Sequence, residues 1–194
     1  MATPNLRQAE QDIQAALEDM HAVEAAGRFA KIGPPSSSDE IATLLAEVPN
    51  LPPDVVQWCR ACSYAVFEWV RLLGSKRPHQ GTTLVDELGL VGRPEWVPVA
   101  CDQFGCLFCM DTNQSHGAQP VFFTEYAGDD RVIYHAASSF PKFLRLVARA
   151  VLNDDPDWAH EKDFVLSIDP ELANVPNVLL PWVVLESDSD TFNG

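Results

Sequence analysis

The sequence predicts an α+β fold, in which a small and mostly antiparallel sheet of about four to six strands packs against helices. Three observations predict this class. Apolar residues recur at helical spacing in the N-terminal part, short strand-like runs follow one another between residues 96 and 136, and a capped helical pattern comes directly after them. The 194 residues, of which 46% are hydrophobic, suit one domain with a sizeable core and extensions.

The first two helices are predicted from periodicity and capping. In residues 5–29 apolar side chains recur at steps of three or four, at Leu6, Ala9, Ile13, Leu17, Met20 and Val23. Ser37 followed by Glu40 is a capping-box pattern, which starts the second helix, and Pro49 stops that helix.

A third and longer helix is predicted to begin at Leu51-Pro52-Pro53-Asp54, because proline is tolerated in a first helical turn and Asp54 suits the positive helix end. Its apolar residues continue on several sides as far as Leu73, and Gly74 follows. This pattern predicts one core helix that is buried against several elements. Residues 75–95 are rich in glycine and proline and are expected to form a loop with a short turn inside it.

The central part of the chain predicts four strands separated by turns, at 96–102, 106–111, 120–125 and 132–134. Simple alternation in the first strand places Val97, Val99 and Cys101 on one face. Trp96, Pro98 and Ala100 then share the other face. Since both faces are apolar, helices or loops are expected to cover at least part of each.

The C-terminal part begins with a helix over 140–152, for which Ser139 is the expected N-cap. An Asn-Asp-rich segment at 153–157 breaks this helix. The sequence therefore divides into an N-terminal helical extension, an α+β domain and a C-terminal extension with an acidic tail, at 1–35, 36–155 and 156–194.

The charge of the chain limits its partners. Twenty-eight acidic and 13 basic residues give a formal net charge of −15. This balance argues against direct binding of nucleic acid, because such binding depends on Lys and Arg neutralising phosphates. It favours a basic protein partner, although an acidic composition also simply keeps a protein soluble.

The N-terminus lacks the basic start and apolar run of a signal peptide, and no stretch approaches the length needed to span a bilayer. The odd number of cysteines, five, is not typical of a secreted disulfide framework. We therefore expect a cytoplasmic protein without a membrane contact.

Two cysteine pairs have the spacing of metal ligands, Cys59-x-x-Cys62 and Cys106-x-x-Cys109. The first pair lies in a predicted helix without a glycine turn, and the second has odd spacing on a strand, which places its side chains on opposite faces. Small apolar packing is therefore favoured over a zinc site, and a cysteine nucleophile next to His116 or His135 is disfavoured as well.

The remaining candidates for chemistry are weak. The histidines show no ligand spacing: His21, His79, His116, His135 and His160. Asp102 and Asp111 flank the first predicted hairpin, where hydrogen bonding at a strand end or contact with a partner is favoured over acid catalysis. No phosphate loop, nucleophile elbow or dinucleotide-binding glycine pattern occurs. We therefore expect no catalytic residues, no metal and no cofactor, and so not an enzyme.

The order of motifs over residues 39–152 resembles the SUKH superfamily, the Smi/Knr-type fold. The similar pieces are Leu51-Pro52-Pro53-Asp54, Trp96-Val97-Pro98, Gly105, Met110-Asp111, Pro120-Val121 and Ser139-Phe140-Pro141-Lys142-Phe143-Leu144. Unlike many members, this chain has no Asn-Gly soon after the Leu-Pro-x-Asp start, and its N- and C-terminal extensions lie outside the match.

The resemblance implies a function in binding rather than catalysis. Members are typically immunity proteins that neutralise bacterial polymorphic toxins, often nucleases or nucleic-acid deaminases, and a smaller group are fungal regulators of cell-wall synthesis. The resemblance thus implies an antitoxin against a basic, nuclease-type toxin, with a regulatory scaffold as the alternative. An acidic inhibitor can occupy the basic surface that a nuclease uses for its substrate.

The predicted partner-binding surface is a set of acidic, polar and aromatic residues in the loops around the sheet. It comprises Asp102, Gln103, Phe104, Glu125, Tyr126, Asp129 and Asp130. Aromatic anchors ringed by charge are typical of tight interfaces. A second acidic patch is predicted at Asp154, Asp155, Asp157 and Glu161. An ordinary solvated rim is the alternative for both.

Overall fold

The computed structural model describes residues 6–78, 81–113, 119–125 and 130–183. Seven strands form one antiparallel sheet in chain order: β1 Ala30–Ile32, β2 Ala65–Phe67, β3 Val70–Leu72, β4 Trp96–Asp102, β5 Leu107–Asp111, β6 Val121–Thr124 and β7 Tyr134–Ala137. The helices are α1 Leu6–Ala25, α2 Ser38–Glu47, α3 Pro53–Ala61, α4 Leu84–Glu87, α5 Phe140–Asn153 and α6 Lys162–Ile168. The predicted α+β class is confirmed, with more strands than the four to six expected.

The long third helix predicted from the sequence is wrong. α3 ends at Ala61, and the chain then forms the short strands β2 and β3. In β2, Ala65 and Phe67 are buried while Val66 is only partly buried, which is the period of a strand. Pairing of β2 with β1 and of β3 with β4 holds this segment in the sheet. The chain passes so closely beside Gly74 that a Cβ there would lie 2.0 Å from the carbonyl oxygen of Ser63. The apolar run therefore extends the sheet.

The predicted alternation in β4 is wrong beyond Pro98. The register shifts between Pro98 and Ala100, so that Pro98 lies opposite Cys109 whereas Cys101 lies opposite Leu107. Residues that face each other across antiparallel strands point to the same side of the sheet. Cys101 therefore shares the face of Pro98, because the bulge inserts one extra residue into the strand.

One face of the sheet carries the main core. Phe108 of β5 packs against Phe143 of α5 with ring centroids 4.9 Å apart. Trp58 of α3 packs edge-on against Phe140 at 6.3 Å and donates its indole N–H to the carbonyl oxygen of Leu73 at 3.0 Å. α1 packs against α5 and α3 and also contacts β1.

The predicted N-cap of α2 agrees with the structure, whereas that of α5 agrees only in part. The predicted capping box of α2 is confirmed, since Glu40 accepts the Ser37 N–H at 2.7 Å and donates its own N–H to the Ser37 hydroxyl at 3.3 Å. α5 starts after Ser139 as predicted, but the Ser139 side chain makes no capping hydrogen bond. Its neighbour Ser138 instead donates its N–H and its hydroxyl to buried Asp169, both at 2.6 Å.

All three predicted segments contribute to one hydrophobic core, which includes Ile13 of α1, Phe108 of the sheet and Trp158 near the C-terminus. Trp158 is 1% exposed and lies 6.3 Å from the ring of Phe143. The C-terminal segment therefore packs as part of the fold.

In the described part of the chain, no helix combines the length and the apolar character needed to cross a membrane.

Candidate functional site

Three chain segments meet at one end of the sheet: the β2–β3 turn, the β4–β5 turn and the segment that follows α5. The first two are joined by a hydrogen bond of 3.1 Å from the Gln103 N–H to the carbonyl oxygen of Trp69. Asp157, from the third segment, lines the same cavity as Trp69 and Gln103. This end of the sheet therefore brings together residues that are far apart in sequence.

Asp102 builds the β4–β5 turn. Its Oδ1 accepts the N–H of Phe104 at 2.8 Å and the N–H of Cys106 at 2.9 Å. Gly105 follows with a φ of +86°, a conformation that glycine adopts without steric cost. The turn holds the Phe104 side chain outward, where it is 74% exposed. An exposed aromatic ring on a fixed turn is the kind of residue that anchors protein interfaces.

Behind Phe104 lies a cavity of about 230 Å³. Its aromatic wall consists of Trp69, Phe104, Phe108, Phe123, Tyr134 and Trp158. Its polar rim includes Asp102, Gln103, Asp157 and His160. None of the described residues that line it is a lysine or an arginine.

The wall of the cavity is an ordered stack of rings. Tyr134 and Phe123 lie face to face, with centroids 4.9 Å apart and ring planes 11° apart. Phe108 continues the row at 5.1 Å from Phe123, and His160 closes it with an edge contact of 5.5 Å to Tyr134. Phe108, Phe123 and Tyr134 lie opposite one another on neighbouring strands, so the sheet register sets their spacing.

The cavity is an unfavourable place for negative charge. Burial raises the pKa of Tyr134 above its ordinary value of 10.0, and the nearby carboxylates of Asp102 and Asp157 raise it further. The faces of the aromatic rings carry partial negative charge as well. Burial disfavours a charge of either sign, but the two carboxylates and the ring faces favour a positively charged group over a negatively charged one.

Two ring nitrogens in this wall, Trp69 Nε1 and His160 Nδ1, are buried and have no hydrogen-bond partner among the residues that the structure describes. Buried polar groups in native proteins are nearly always paired, so the exceptions require an explanation. Three further buried side-chain atoms in the described part of the chain, on Arg28, Ser63 and Thr82, are also unpaired and lie outside this wall. The presence of two such atoms in one wall is consistent with a surface that is completed by another molecule.

A separate group of charged residues lies at the end of α5 and does not line the cavity. Asp154, at the end of α5, forms an ion pair with Arg28, which also lies 3.7 Å from Glu68. The hydrogen bond from Arg28 lowers the pKa of Asp154. Phe29, beside this pair, is 60% exposed. Phe29 and Phe104 are therefore two exposed rings, of which only Phe104 lines the cavity.

The predicted partner-binding residues are only partly brought together. Asp102, Gln103 and Phe104 line the cavity. Glu125 is exposed and directly follows β6, whose last residue pairs with Leu107 at this end of the sheet. Tyr126 and Asp129 lie outside the described residues.

Asp130 belongs to a different surface. It forms an ion pair of 3.9 Å with Arg93, whose guanidinium lies 5.1 Å from the centre of the Trp96 ring. Trp96 begins β4 and Asp102 ends it, which separates them by about 20 Å along an extended strand. The predicted single set is therefore divided between the two ends of the sheet.

The second predicted patch adjoins the first. Asp157 lines the cavity together with Phe104, whereas Glu161 is exposed and does not line it. Trp69, Trp158 and His160 line the cavity but were not predicted as site residues. Trp69 was placed inside the wrongly predicted helix, and the other two lie beyond the expected domain boundary. Only the density of aromatic residues in the sequence could have indicated them.

The cysteines, which were weighed as metal ligands or nucleophiles, lie inside the fold. All five cysteines are free and buried, and burial raises the pKa of Cys59 to about 12 and that of Cys62 and Cys101 to about 11. Within the described residues, no group of three or more His, Cys, Asp or Glu side chains is arranged to hold a metal ion. Such thiols pack as small apolar groups and are weak nucleophiles.

Asp102 and Asp111 do not form a carboxylate pair. Asp111 lies opposite Trp96 at the far end of the β4–β5 hairpin and accepts the N–H of Asn113 at 2.8 Å. Each carboxylate therefore stabilises its own turn. Of the histidines, His21 lies 3.6 Å from Glu24 on α1, and His79 and His116 are outside the described residues.

The sequence matches no protein-family model and no curated protein, and the fold matches no solved structure.

Proposed function

We propose that this protein is an immunity protein of the SUKH type, which binds a cognate bacterial toxin in the cytoplasm and neutralises it without catalysis. The observation that carries the proposal is the acidic and aromatic surface at the turn end of the sheet, where exposed Phe104 lies above a ring-lined cavity. Interfaces of tight complexes concentrate their binding energy in such aromatic anchors.

The charge of the chain supports a basic toxin. A net charge of −15 attracts a positively charged partner over long range and raises the rate of association. Nuclease-type effectors carry basic surfaces, because their substrate is a polyanion. An acidic protein that covers such a surface excludes the substrate by steric and electrostatic means.

The test is co-expression of the tagged protein with each of its genomic neighbours, followed by pull-down and a growth assay. The proposal expects one neighbour that stops growth when expressed alone, that is retained in a one-to-one complex, and whose toxicity the protein abolishes. If no neighbour is both bound and neutralised, the immunity function is refuted. A partner recovered only from whole lysate, without toxicity, would favour the regulatory scaffold instead.

A further inference from the structure

The cavity behind Phe104 has the chemistry of a receptor for a cation. Aromatic faces line it, the carboxylates of Asp102 and Asp157 lie at its rim, and no described lining residue carries a fixed positive charge. A cation placed over an aromatic face is attracted by the quadrupole of the ring, and more strongly where water is excluded. The negative charge of these two carboxylates is thus not balanced by a lysine or an arginine among the described lining residues.

We infer that this cavity receives an arginine side chain of the basic protein partner, with its guanidinium between the ring of Phe104 and the carboxylate of Asp157. The inference rests on the proposed function for the identity of the partner, but the recognition of arginine does not depend on toxicity. It names one anchor within the wider interface.

Arginine fits this site better than lysine for two reasons. Its planar guanidinium stacks on aromatic rings and can donate several hydrogen bonds to a carboxylate at once. It is also hydrated more weakly than an ammonium group, so that entering a ring-lined cavity costs less. The 74% exposure of Phe104 leaves a ring face available to the incoming side chain.

Asp102 and Asp157 have different parts in this arrangement. The Oδ1 of Asp102 is used to hold the turn, so its contribution is mainly the charge that it places at the rim. Asp157 is exposed, and within the described residues no hydrogen bond or ion pair of its side chain is seen. Asp157 is therefore the carboxylate that can be removed without disturbing the fold.

The first experiment uses N-acetyl-L-arginine methylamide as the probe and ¹H–¹⁵N NMR of the intact protein as the readout. The indole N–H signal of Trp69, assigned with Trp69→Phe, should shift with a dissociation constant in the millimolar range, as expected for one side chain. The citrulline analogue, which has the same shape without the charge, should bind at least about tenfold more weakly. Equal binding of the two probes, or no shift with either, would overturn the inference.

Matched variants localise the effect. Phe104→Ala and Asp157→Asn should each weaken arginine binding about fivefold or more. Phe29→Ala removes an equally large exposed ring that does not line the cavity, and it should leave the affinity unchanged. Unchanged affinity in Phe104→Ala and Asp157→Asn would refute the assignment of this cavity.

The second experiment separates this inference from the proposed function. If a toxin is found and Phe104→Ala and Asp157→Asn bind it as tightly as the wild type, the inference fails while the immunity function stands. If the arginine probe binds as expected but no neighbour is neutralised, the cavity assignment stands while the immunity function fails. In the expected case, both variants weaken toxin binding about tenfold or more.

Discussion

Asp169 is the residue through which the C-terminal segment is most directly attached to the domain, and replacing it with alanine tests that attachment. Its side chain is fully buried and accepts two hydrogen bonds of 2.6 Å from the N–H and the hydroxyl of Ser138. Lys142 adds a contact of 3.2 Å to the carbonyl oxygen of Ile168. These bonds connect the start of α5 with the end of α6.

The expected loss follows from the groups left behind. Asp169→Ala leaves two buried donors of Ser138 without a partner, each of which costs about 1–3 kcal/mol. Part of this loss is offset, because burial raises the pKa of Asp169, so that ionised Asp169 is itself costly to bury. We expect a net decrease of about 2 kcal/mol in the free energy of unfolding, which lowers Tm by roughly 4–8 °C in a domain of this size.

Thermal and urea unfolding followed by circular dichroism measure this loss. The matched control is Asp163→Ala, an exposed aspartate in the first turn of α6, which should cost less than about 1 kcal/mol. Equal stability of Asp169→Ala and the wild type would refute the reasoning. It would mean that the hydrogen bonds between Asp169 and Ser138 do not contribute to the stability of the domain.

Three further predictions follow from individual contacts. Asp19, whose side chain is only 10% exposed, accepts a hydrogen bond from Arg145 and forms an ion pair with Arg149, both on α5, so Asp19→Ala should cost about 2 kcal/mol in urea unfolding, whereas exposed Glu18→Ala should cost little; equal losses would contradict this. His135 Nδ1 accepts the Leu179 N–H at 3.0 Å and burial lowers the pKa of His135, so its contribution to stability is present above pH 6.5 and is lost as the pH falls through its lowered pKa. The protection factor of the Leu179 amide, which is the intrinsic exchange rate divided by the observed rate, should therefore fall more on acidification in the wild type than in His135→Gln. Identical pH profiles of this protection factor would refute the role of His135. In native protein at neutral pH the five buried thiols should resist DTNB and should all react after unfolding in urea, so rapid labelling of the native protein would show that they are accessible.

The fold class was predictable because strong local signals agree with the final structure. The capping box at Ser37 and Glu40 and the start of α5 after Ser139 depend on neighbouring residues only. β4 and β5 are long enough for their apolar character to be recognised without tertiary context, whereas the last strand, predicted at 132–134, lies at Tyr134–Ala137.

The errors occur where tertiary structure decides between two local options. The run from Ala65 to Leu72 is apolar at both helical and strand periods, and pairing with β1 and β4 makes it a hairpin. The bulge at Pro98 to Ala100 has no signal in the sequence that could be distinguished from simple alternation.

The candidate site was predictable only where its residues are neighbours in the sequence. Asp102 and Phe104 are adjacent in sequence and stay together in the turn. The contributions of Trp69, Asp157 and His160 depend on the packing of distant segments, which no pattern in a single sequence reveals. The position of Asp130 next to Arg93, apart from this group, is likewise a tertiary contact that no local pattern reveals.

We propose that the end of the sheet with the β2–β3 and β4–β5 turns binds and neutralises a basic toxin, and growth protection by charge-reversed variants tests this most directly. The assay uses cells that express the toxic genomic neighbour. Asp157→Lys together with Gln103→Lys reverses the charge at the cavity, and Glu47→Lys makes a similar change at an exposed site on α2. The account predicts that the double variant folds but no longer protects, whereas Glu47→Lys protects fully. Full protection by the double variant, or loss of protection with Glu47→Lys alone, would contradict it.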